Sequence, residues 1–349
     1  MKIGIVGLPM SGKTTFFRLL THTQPELGKG RSAIGMAMVP DARVDYLSAY
    51  YKPRKIAYAQ IAVTDVPGIE AGRSEFINEL RDVDLLVQVV RAFTAAHVPS
   101  QRVSGPDPLA DAKMIQEELA LADWSLADTR LTRLRKGSRQ PQTEADLQVF
   151  THITNALESG QPLRKLELNE EQREALQGIS FLSDKPCLVV VNTDEQQFRS
   201  GNYPGKNELT VWCEREGMPL LEVCGQLEME MEELDGEDKA AFLADLGVEE
   251  TGLTRLARAA YELLGLISFF TVGEDEVKAW TVRKGSSAKE AAGKIHSDIA
   301  RGFIRAEVVP YASFVEHNGF RVRENGGPRL EGRDYIVEDG DIMHIRFNV

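Results

Sequence analysis

The stretch MKIGIVGLPMSGKTTFFR, residues 1–18, decides the fold of this chain. Lys2 to Val6 is apolar and mostly β-branched, which predicts a short buried strand. The next eight residues, GLPMSGKT at 7–14, fit the pattern G-x-x-x-x-G-K-[ST] at every fixed position. Thr15 to Leu20 has the apolar spacing of a helix. Strand, glycine loop and helix in this order predict a phosphate-binding loop.

Each part of this loop has a predicted role. The glycines and the helix N-terminus would turn backbone N–H groups onto phosphate oxygens. Lys13 would reach the β- and γ-phosphates, and the Thr14 hydroxyl would bind Mg²⁺. The expected ligands are therefore Mg²⁺ and ATP or GTP, and the expected binding residues are Gly7, Pro9, Met10, Ser11, Gly12, Lys13, Thr14 and Thr15. The alternative is a glycine turn that opens a βα unit without binding anything.

Composition limits the other classes of function. A length of 349 residues allows two or three domains, and a net charge of −12 argues against binding nucleic acid over the whole surface. A local basic patch is still compatible with that charge. Three widely spaced cysteines predict reduced thiols in a cytoplasmic protein. We expect no signal peptide and no membrane-spanning segment.

Two segments after the loop are candidates for sensing the γ-phosphate. The polar segment 21–33 contains Ser32, our first candidate for a second Mg²⁺ ligand, and Thr23, our second. An exposed loop serine is the alternative interpretation of Ser32. Farther on, a strand predicted over 56–63 runs into Asp65-Val66-Pro67-Gly68. Asp65 would hold Mg²⁺ through water, and the Gly68 N–H would contact the γ-phosphate, so both are candidate catalytic residues together with Lys13.

Ile69 follows this Asp-x-x-Gly sequence directly. Signalling GTPases carry a glutamine there, which orients the attacking water. An isoleucine side chain forms no hydrogen bond, so slow intrinsic hydrolysis is expected.

The motif for base recognition departs from the GTPase pattern Asn-Lys-x-Asp. This chain has Asn192-Thr193-Asp194-Glu195 after a buried strand over 185–191. We predict that Asn192, Thr193 and Glu195 contact the base, with Asp194 in a shifted register as the alternative. The loop that contains Cys224 follows the next strand and is expected to close over the base. The longer Glu195 side chain weakens the case for guanine and leaves adenine open.

Helical spacing extends from Leu109 to about Arg135 and resumes from Ala145 to Leu157. These two stretches predict a helical hairpin inserted in the nucleotide-binding domain. Near its tip stand the cations Arg130, Arg133, Arg135, Lys136 and Arg139. They predict either contact with RNA or a solvated helix end whose cations complement the helix dipole.

The C-terminal eighty residues predict a separate β-grasp unit. Strands are expected over 267–271 and 277–282, a helix over 287–300, and a closing hairpin from 335–337 and 342–347. The predicted fold is therefore an α/β G domain with a mostly parallel sheet (1–108 and 181–266), an inserted helical hairpin (109–180) and a C-terminal β-grasp domain (267–349).

Several of these motifs resemble one known family. Gly7-Leu8-Pro9, Asn192-x-x-Glu195 and the tail segments 279–309 and 331–349 are similar to the Obg-like ATPases of the YchF subgroup. The resemblance implies a G domain, an inserted hairpin and a C-terminal TGS domain of the β-grasp type. It also implies hydrolysis of ATP at least as readily as GTP, and association with ribosomes. A hydrophobic residue in place of the catalytic glutamine, as at Ile69, is another family property.

The front half departs from the family pattern. Members usually have Asn-Val where Met10-Ser11 stand, and Asp-Ile-Ala-Gly where this chain has Asp65-Val66-Pro67-Gly68. Relatives place a histidine proposed to take part in hydrolysis before Val-Ser-Gly. Here Arg102 holds that position, and His97 nearby is the remaining candidate. The chain is thus identified as a divergent member.

The predicted function is a slow, Mg²⁺-dependent nucleoside triphosphatase that acts as a switch on the ribosome. Ribosomal RNA would bind the hairpin and the TGS domain, and the protein is expected to be a cytoplasmic monomer. One alternative is a nucleotide-gated binding module with negligible hydrolysis. A small-molecule kinase is a weaker third, because Asp-x-x-Gly and Asn-x-x-Glu have no role in one.

Overall fold

The computed structural model describes residues 1–23, 32–69, 77–95, 105–136, 141–317, 319 and 328–348. Its strands are β1 (Lys2–Gly7), β2 (Ala33–Val39), β3 (Lys55–Ala57), β4 (Ala59–Asp65), β5 (Leu85–Arg91), β6 (Cys187–Asn192), β7 (Leu220–Val223), β8 (Leu266–Thr271), β9 (Glu276–Arg283), β10 (Phe303–Pro310), β11 (Arg329–Glu331) and β12 (Asp341–Phe347).

The helices alternate with these strands along most of the chain. They are α1 (Lys13–Thr21), α2 (Ala42–Tyr51), α3 (Pro108–Lys136), α4 (Pro141–Glu158), α5 (Glu170–Ala175), α6 (Glu195–Ser200), α7 (Lys206–Glu216), α8 (Gly225–Glu232), α9 (Gly236–Asp245), α10 (Gly252–Leu263), α11 (Ala288–Ile295), α12 (Ser297–Arg301) and α13 (Tyr311–Glu316), with 3₁₀ helices at Ile77–Asp82 and Leu163–Lys165.

The first sheet has the strand order β2-β4-β1-β5-β6-β7 in the described residues. The pairs β1–β4, β1–β5, β5–β6 and β6–β7 are all parallel. All residues of β5 and β6 are buried, as expected for strands covered by helices on both faces. The predicted α/β fold with a mostly parallel sheet is confirmed.

The second sheet has the order β11-β10-β12-β8-β9-β3 and carries the β-grasp fold. Antiparallel pairs join β8 to β9 and β10 to β12, whereas β12 pairs with β8 in parallel. Helix α11 packs on this sheet through Ala288 and Ala291, which share a core with Phe269 and Val308. The predicted β-grasp fold is confirmed.

The chain forms two compact units. One contains residues 1–35 and 62–256, and the other contains 36–61 and 257–349. Residues 36–61 supply α2 and β3 to the second unit, where β3 pairs in parallel with β9. The domain boundaries at 108, 180 and 266 stay predictions.

Three predicted elements differ from the structure. The single strand over 56–63 is wrong, because Tyr58 separates β3 from β4 and the two strands belong to different sheets. The single helix over 287–300 is wrong, because His296 is extended and separates α11 from α12. The closing hairpin is also wrong. Its second strand, β12, pairs with β10, while Ile336 makes only an isolated bridge to Ser287.

The hairpin of α3 and α4 has its own apolar core, with Phe150 and Ile153 of α4 fully buried against Ala127 and Leu131 of α3. The first half of α3 belongs to a different core, where Ile115 and Leu119 pack with residues of the first sheet. In the part of the chain that the structure describes, no helix is long and apolar enough to cross a membrane.

Candidate functional site

The loop between β1 and α1 forms the candidate phosphate cradle. Gly12 is the N-cap of α1 with φ 100°, and it provides no side chain to cap the helix. Because the first N–H groups of a helix lack intrahelical partners, an uncapped N-terminus favours an anion. The sequence pattern and the local backbone thus agree on the same kind of ligand.

Gly12 cannot be replaced by a larger residue without a clash. Its φ lies in the left-handed region, and a Cβ built on it would stand 2.2 Å from Asn192 Nδ2. Asn192 is held in place at both ends of its amide. Its Nδ2 donates to the Ser11 carbonyl at 3.1 Å, and its Oδ1 accepts from the Gly225 N–H at 3.1 Å. The Asn192 side chain therefore joins the phosphate loop to the start of α8.

Lys13 lies inside the cradle with 6% of its surface exposed. Its Nζ donates to the Leu8 carbonyl at 2.8 Å, which holds the ammonium under the loop. Burial lowers the pKa of Lys13 to about 8, and the nearby Asp65 carboxylate opposes that shift. A buried ammonium at this position is suited to bind the oxygens of an anion.

Thr14 and Asp65 meet beside Lys13. The Thr14 hydroxyl donates to Asp65 Oδ2 at 2.8 Å, so two of the three residues predicted to bind Mg²⁺ are in contact. Burial raises the pKa of Asp65, while the Thr14 hydroxyl and Lys13 lower it. Among the described residues, Asp65 Oδ1 is buried without a hydrogen-bond partner.

This donor set fits Mg²⁺. The ion prefers hard oxygen ligands and keeps several waters, so one hydroxyl and one carboxylate are the kind of protein ligands that it uses. The described part of the chain contains no group of three His, Cys, Asp or Glu residues that could hold a metal on their own. The unpartnered oxygen of Asp65 is available for such an ion or for its water.

The Asp-x-x-Gly segment lies against the phosphate loop. A Cβ on Gly68 would stand 2.7 Å from the Pro9 nitrogen, so only glycine allows this approach. The Ile69 N–H donates to the Gly7 carbonyl at 3.0 Å. The Ile69 side chain is 4% exposed and packs in the core with Leu8 and Val66, so it is directed away from solvent.

A cavity of about 690 Å³ extends from this cradle. It is lined by Met10, Gly12, Lys13, Thr14, Thr15, Phe93, Thr94, Ala95, Asn192, Thr193, Asp194, Gly225, Gln226 and Met229. Residues 93–95, Gln226 and Met229 were missed by the sequence reasoning. The signal for residues 93–95 was present, because they follow β5, which lies beside β1, and parallel strands end at the same edge of a sheet. Gln226 and Met229 are three residues apart on α8 and share a face.

The predicted base-binding residues are placed unequally. Asn192, Thr193 and Asp194 line the cavity, whereas Glu195 does not. The Glu195 carboxylate instead accepts a hydrogen bond from Arg199 Nε at 2.9 Å. The Asp194 carboxylate caps α6 by accepting from the Gln197 N–H. Cys224 is buried at the N-cap of α8, next to the lining residue Gly225, and burial raises the pKa of its thiol.

The described residues show no hydrogen bond between the phosphate cradle and the two candidates for a second Mg²⁺ ligand, Ser32 and Thr23. The Ser32 hydroxyl donates to the Glu79 carboxylate, and the Thr23 hydroxyl is hydrogen-bonded to the Thr21 hydroxyl. His97 and Arg102 lie outside the described residues, as does Arg139 of the hairpin tip.

Met10 carries backbone strain at the rim of the cavity. It has φ 61° and is 59% exposed, so a left-handed conformation is imposed on a side chain with no local hydrogen bond to compensate. Asparagine tolerates this conformation better. Met10→Asn is therefore expected to raise the free energy of unfolding by about 0.5–1 kcal/mol.

Urea unfolding of the nucleotide-free protein measures this effect. Met229→Asn, at the same cavity but in a helix, is the control and should not stabilise the protein. If both variants shift the urea midpoint upward equally, strain at Met10 is not the cause.

A strand, a glycine loop and a helix, with Asp65 against Thr14, define the class: a P-loop protein of the GTPase type. Comparison with known proteins agrees. The family model YchF-GTPase_C, described as a protein of unknown function (DUF933), matches residues 266–348. The "Ribosome-binding ATPase YchF" of Haemophilus influenzae is 40% identical over 364 residues, covering 100% of this chain and 99% of the relative. The protein of the same name from Bacillus subtilis is 38% identical over 366 residues, covering 99% of both.

Solved structures show the same likeness. The YchF GTPase of Schizosaccharomyces pombe superposes with a TM-score of 0.86 at 29% identity, covering 99% of this chain and 97% of that one. A GTP-binding protein from Pyrococcus horikoshii shares the fold with a TM-score of 0.62 at 20% identity, covering 100% of both chains. The chain belongs to the YchF family of Obg-like P-loop proteins.

Proposed function

We propose that this protein is a Mg²⁺-dependent nucleoside triphosphatase that acts as a switch on the ribosome. One observation carries the proposal: the contact of Thr14 with Asp65, beside the buried ammonium of Lys13. These three side chains are among the parts that hydrolysis of a γ-phosphate needs on the protein. The names of the bacterial relatives support the ribosome as partner.

The chain's own residues would each do one task. The N–H groups of the phosphate loop and the start of α1 hold the phosphates in line for attack. Lys13 would compensate negative charge on the transferring oxygens, and the Gly68 N–H would contact the γ-phosphate. Thr14 and Asp65 would hold Mg²⁺, which when bound neutralises charge on the β- and γ-phosphates.

Intrinsic hydrolysis is expected to be slow, since the Ile69 side chain lies in the core and positions no water. Single-turnover release of phosphate from ATP tests this, with and without ribosomes. We expect slow release that ribosomes accelerate, and loss of release in Lys13→Ala.

Two outcomes would change the account. No product even with ribosomes would favour the alternative, a nucleotide-gated binding module with negligible hydrolysis. The burial of Ile69 is the observation that favours that alternative. Equal release by Lys13→Ala would show that the activity belongs to another site or a contaminant.

ATP is the proposed substrate, with GTP as a second one. Glu195 is outside the cavity lining and bonded to Arg199, and Asp194 caps α6 through one carboxylate oxygen. Neither carboxylate is therefore placed to accept the two hydrogen bonds that guanine can donate. Titration of ATP, GTP and both diphosphates measures the preference, and a strong preference for GTP would contradict the proposal.

The basic end of α3 is the proposed ribosome contact. Arg130, Arg133, Arg135 and Lys136 are all exposed, and none forms an ion pair within the described residues. A phosphate backbone would pair with these cations. The β-grasp domain is the second proposed contact, and we propose a cytoplasmic monomer.

Removing two of these charges should weaken ribosome binding. For Arg133→Gln/Lys136→Gln we expect the slope of log affinity against log salt to fall in magnitude by about 1.5, from two lost phosphate contacts. Sedimentation with ribosomes at several salt concentrations measures it. The control is Lys113→Gln/Arg173→Gln, which removes two exposed cations away from the tip. An equal loss in both would mean that net charge alone governs binding.

A further inference from the structure

The cavity extends beyond the phosphate cradle, and this outer part has its own lining. Residues 93–95 follow β5, residues 192–194 lie at the end of β6, and Gly225, Gln226 and Met229 belong to α8. Ligands of parallel α/β sheets bind outside the carboxyl ends of the strands, where the first two of these segments lie. A nucleotide whose phosphates occupy the cradle would therefore place its ribose and base in this outer part.

Most polar side chains of the outer part are already bonded within the protein. The Asn192 amide is bonded at both ends, and the Thr193 hydroxyl donates to a backbone carbonyl at 3.4 Å. Asp194 caps α6 with one carboxylate oxygen, so its second oxygen is left as an acceptor alone. Thr94 has a single hydroxyl, which can contact a base at one atom only. These four side chains therefore leave no separate donor and acceptor atoms side by side for a base.

Gln226 differs from them in what it can present to a ligand. It is the second residue of α8, and its side chain is exposed in the cavity lining. Its Nε2 donates to Glu230 Oε1 at 3.2 Å, which uses one of the two amide hydrogens. Within the described part of the chain, Gln226 Oε1 accepts no hydrogen bond. The amide thus keeps one donor and one acceptor, on adjacent atoms, for a ligand.

This pair of atoms matches the edge of either purine. Adenine has its exocyclic N6–H donor beside the N1 acceptor, and guanine has its O6 acceptor beside the N1–H donor. The order of donor and acceptor is therefore reversed between the two bases. A half-turn about the terminal torsion of glutamine exchanges the amide oxygen and nitrogen, and this torsion has a broad, two-fold energy profile. That half-turn gives up only the exposed bond to Glu230.

We propose that Gln226 recognises the purine base of the bound nucleotide, and that the half-turn of its amide lets one site accept both adenine and guanine. This inference rests on the proposed function, since it assumes that the cradle holds a nucleoside triphosphate. It makes Gln226 a residue that determines base specificity and gives it no part in the hydrolytic step.

Removing the amide tests whether Gln226 contacts the base. Gln226→Leu keeps a similar size and loses both hydrogen bonds, so the affinities for ATP and GTP should each fall about tenfold. Non-hydrolysable analogues of both nucleotides are titrated with Mg²⁺ into the full chain. Inorganic tripolyphosphate with Mg²⁺ is the probe without a base, and its affinity should not change. Gln148→Leu, the same substitution at an exposed position of α4, is the matched control and should leave all three affinities unchanged.

Replacing the amide by a carboxylate tests the recognition of two bases. Gln226→Glu presents acceptors only, which suit the N1–H and N2–H donors of guanine and oppose the N1 lone pair of adenine. The ratio of GTP affinity to ATP affinity should therefore rise at least about tenfold. Because the two nucleotides carry the same phosphates, this ratio cancels the repulsion between the added charge and the phosphates.

The outcomes separate the inference from the proposed function. Unchanged affinities in Gln226→Leu overturn the inference, and so does an unchanged ratio in Gln226→Glu. A loss for only one of the two nucleotides in Gln226→Leu overturns the recognition of both bases. An equal loss of tripolyphosphate would show that the substitution distorts the cradle, which also overturns the inference. A parent protein that binds neither nucleotide nor tripolyphosphate overturns the proposed function instead.

Discussion

Gly12→Ala is expected to lower the affinity for ATP at least a hundredfold. The alanine Cβ would stand 2.2 Å from Asn192 Nδ2, so Asn192 or the loop must move by more than 1 Å. The left-handed φ of 100° adds a strain of about 1–2 kcal/mol. The strain displaces the loop amides, and loss of two charge-assisted hydrogen bonds from these amides to phosphate, at about 1.5–3 kcal/mol each, accounts for the lost affinity. Titration of a non-hydrolysable ATP analogue with Mg²⁺ measures the change.

Gly217→Ala is the matched control. Gly217 ends α7 with φ 67°, and a Cβ there meets nothing within 4 Å. This variant should lose stability from strain but keep its affinity for nucleotide. Equal affinity in both variants would mean that the contact between Gly12 and Asn192 does not shape the cradle.

Nucleotide affinity should fall about tenfold between pH 7 and pH 9. In the free protein, burial lowers the pKa of Lys13 to about 8, while bound phosphates would favour its charged form. Binding above pH 8 therefore takes up a proton, and affinity falls as free Lys13 loses its charge. The terminal phosphate of the nucleotide, with a pKa of about 6, is ionised over most of this range and adds little.

The same shift affects stability in the opposite direction. The unfolded chain keeps the Lys13 proton up to pH 10.5, whereas the folded free protein releases it near 8. Between these values the unfolded state binds more protons, so the free energy of unfolding rises with pH by up to about 3 kcal/mol.

Lys13→Arg separates the two causes. Arginine stays charged throughout, so its affinity, although weaker, should vary less than about twofold from pH 7 to pH 9. A parent protein whose affinity is equally flat would contradict a low pKa for Lys13. A steep fall in both proteins would point to a titrating group other than Lys13.

The geometry of the phosphate loop follows from local patterns in the sequence. The conformation of the loop at 7–14 depends on glycines within the loop itself. Asp65 reaches Thr14 because β4 and β1 are neighbours in a parallel sheet. The burial of Ile69 is likewise consistent with its apolar side chain. These features depend on residues close in sequence or on a common strand order.

Other features depend on partners far along the chain. The sequence from Ile56 to Val63 contains no glycine or proline to mark a break, yet β3 pairs with β9, more than two hundred residues later. The turn residues at 338–341 suggested a closing hairpin, but β12 pairs instead with the longer strand β10. Arg81 and Asp123 form an ion pair at 2.9 Å that no sequence motif indicates, and only the folded chain brings them together.

The contribution of residues 36–61 to the β-grasp unit bears on how its role can be dissected genetically. A stop codon after residue 256 would deprive β3 of its neighbour β9 and leave Arg43 without Asp339, to which it donates a hydrogen bond at 2.7 Å. The tail expressed alone would lack a strand and a helix. Point substitutions are therefore the sounder genetic tool, and a truncation phenotype would report misfolding as well as lost function.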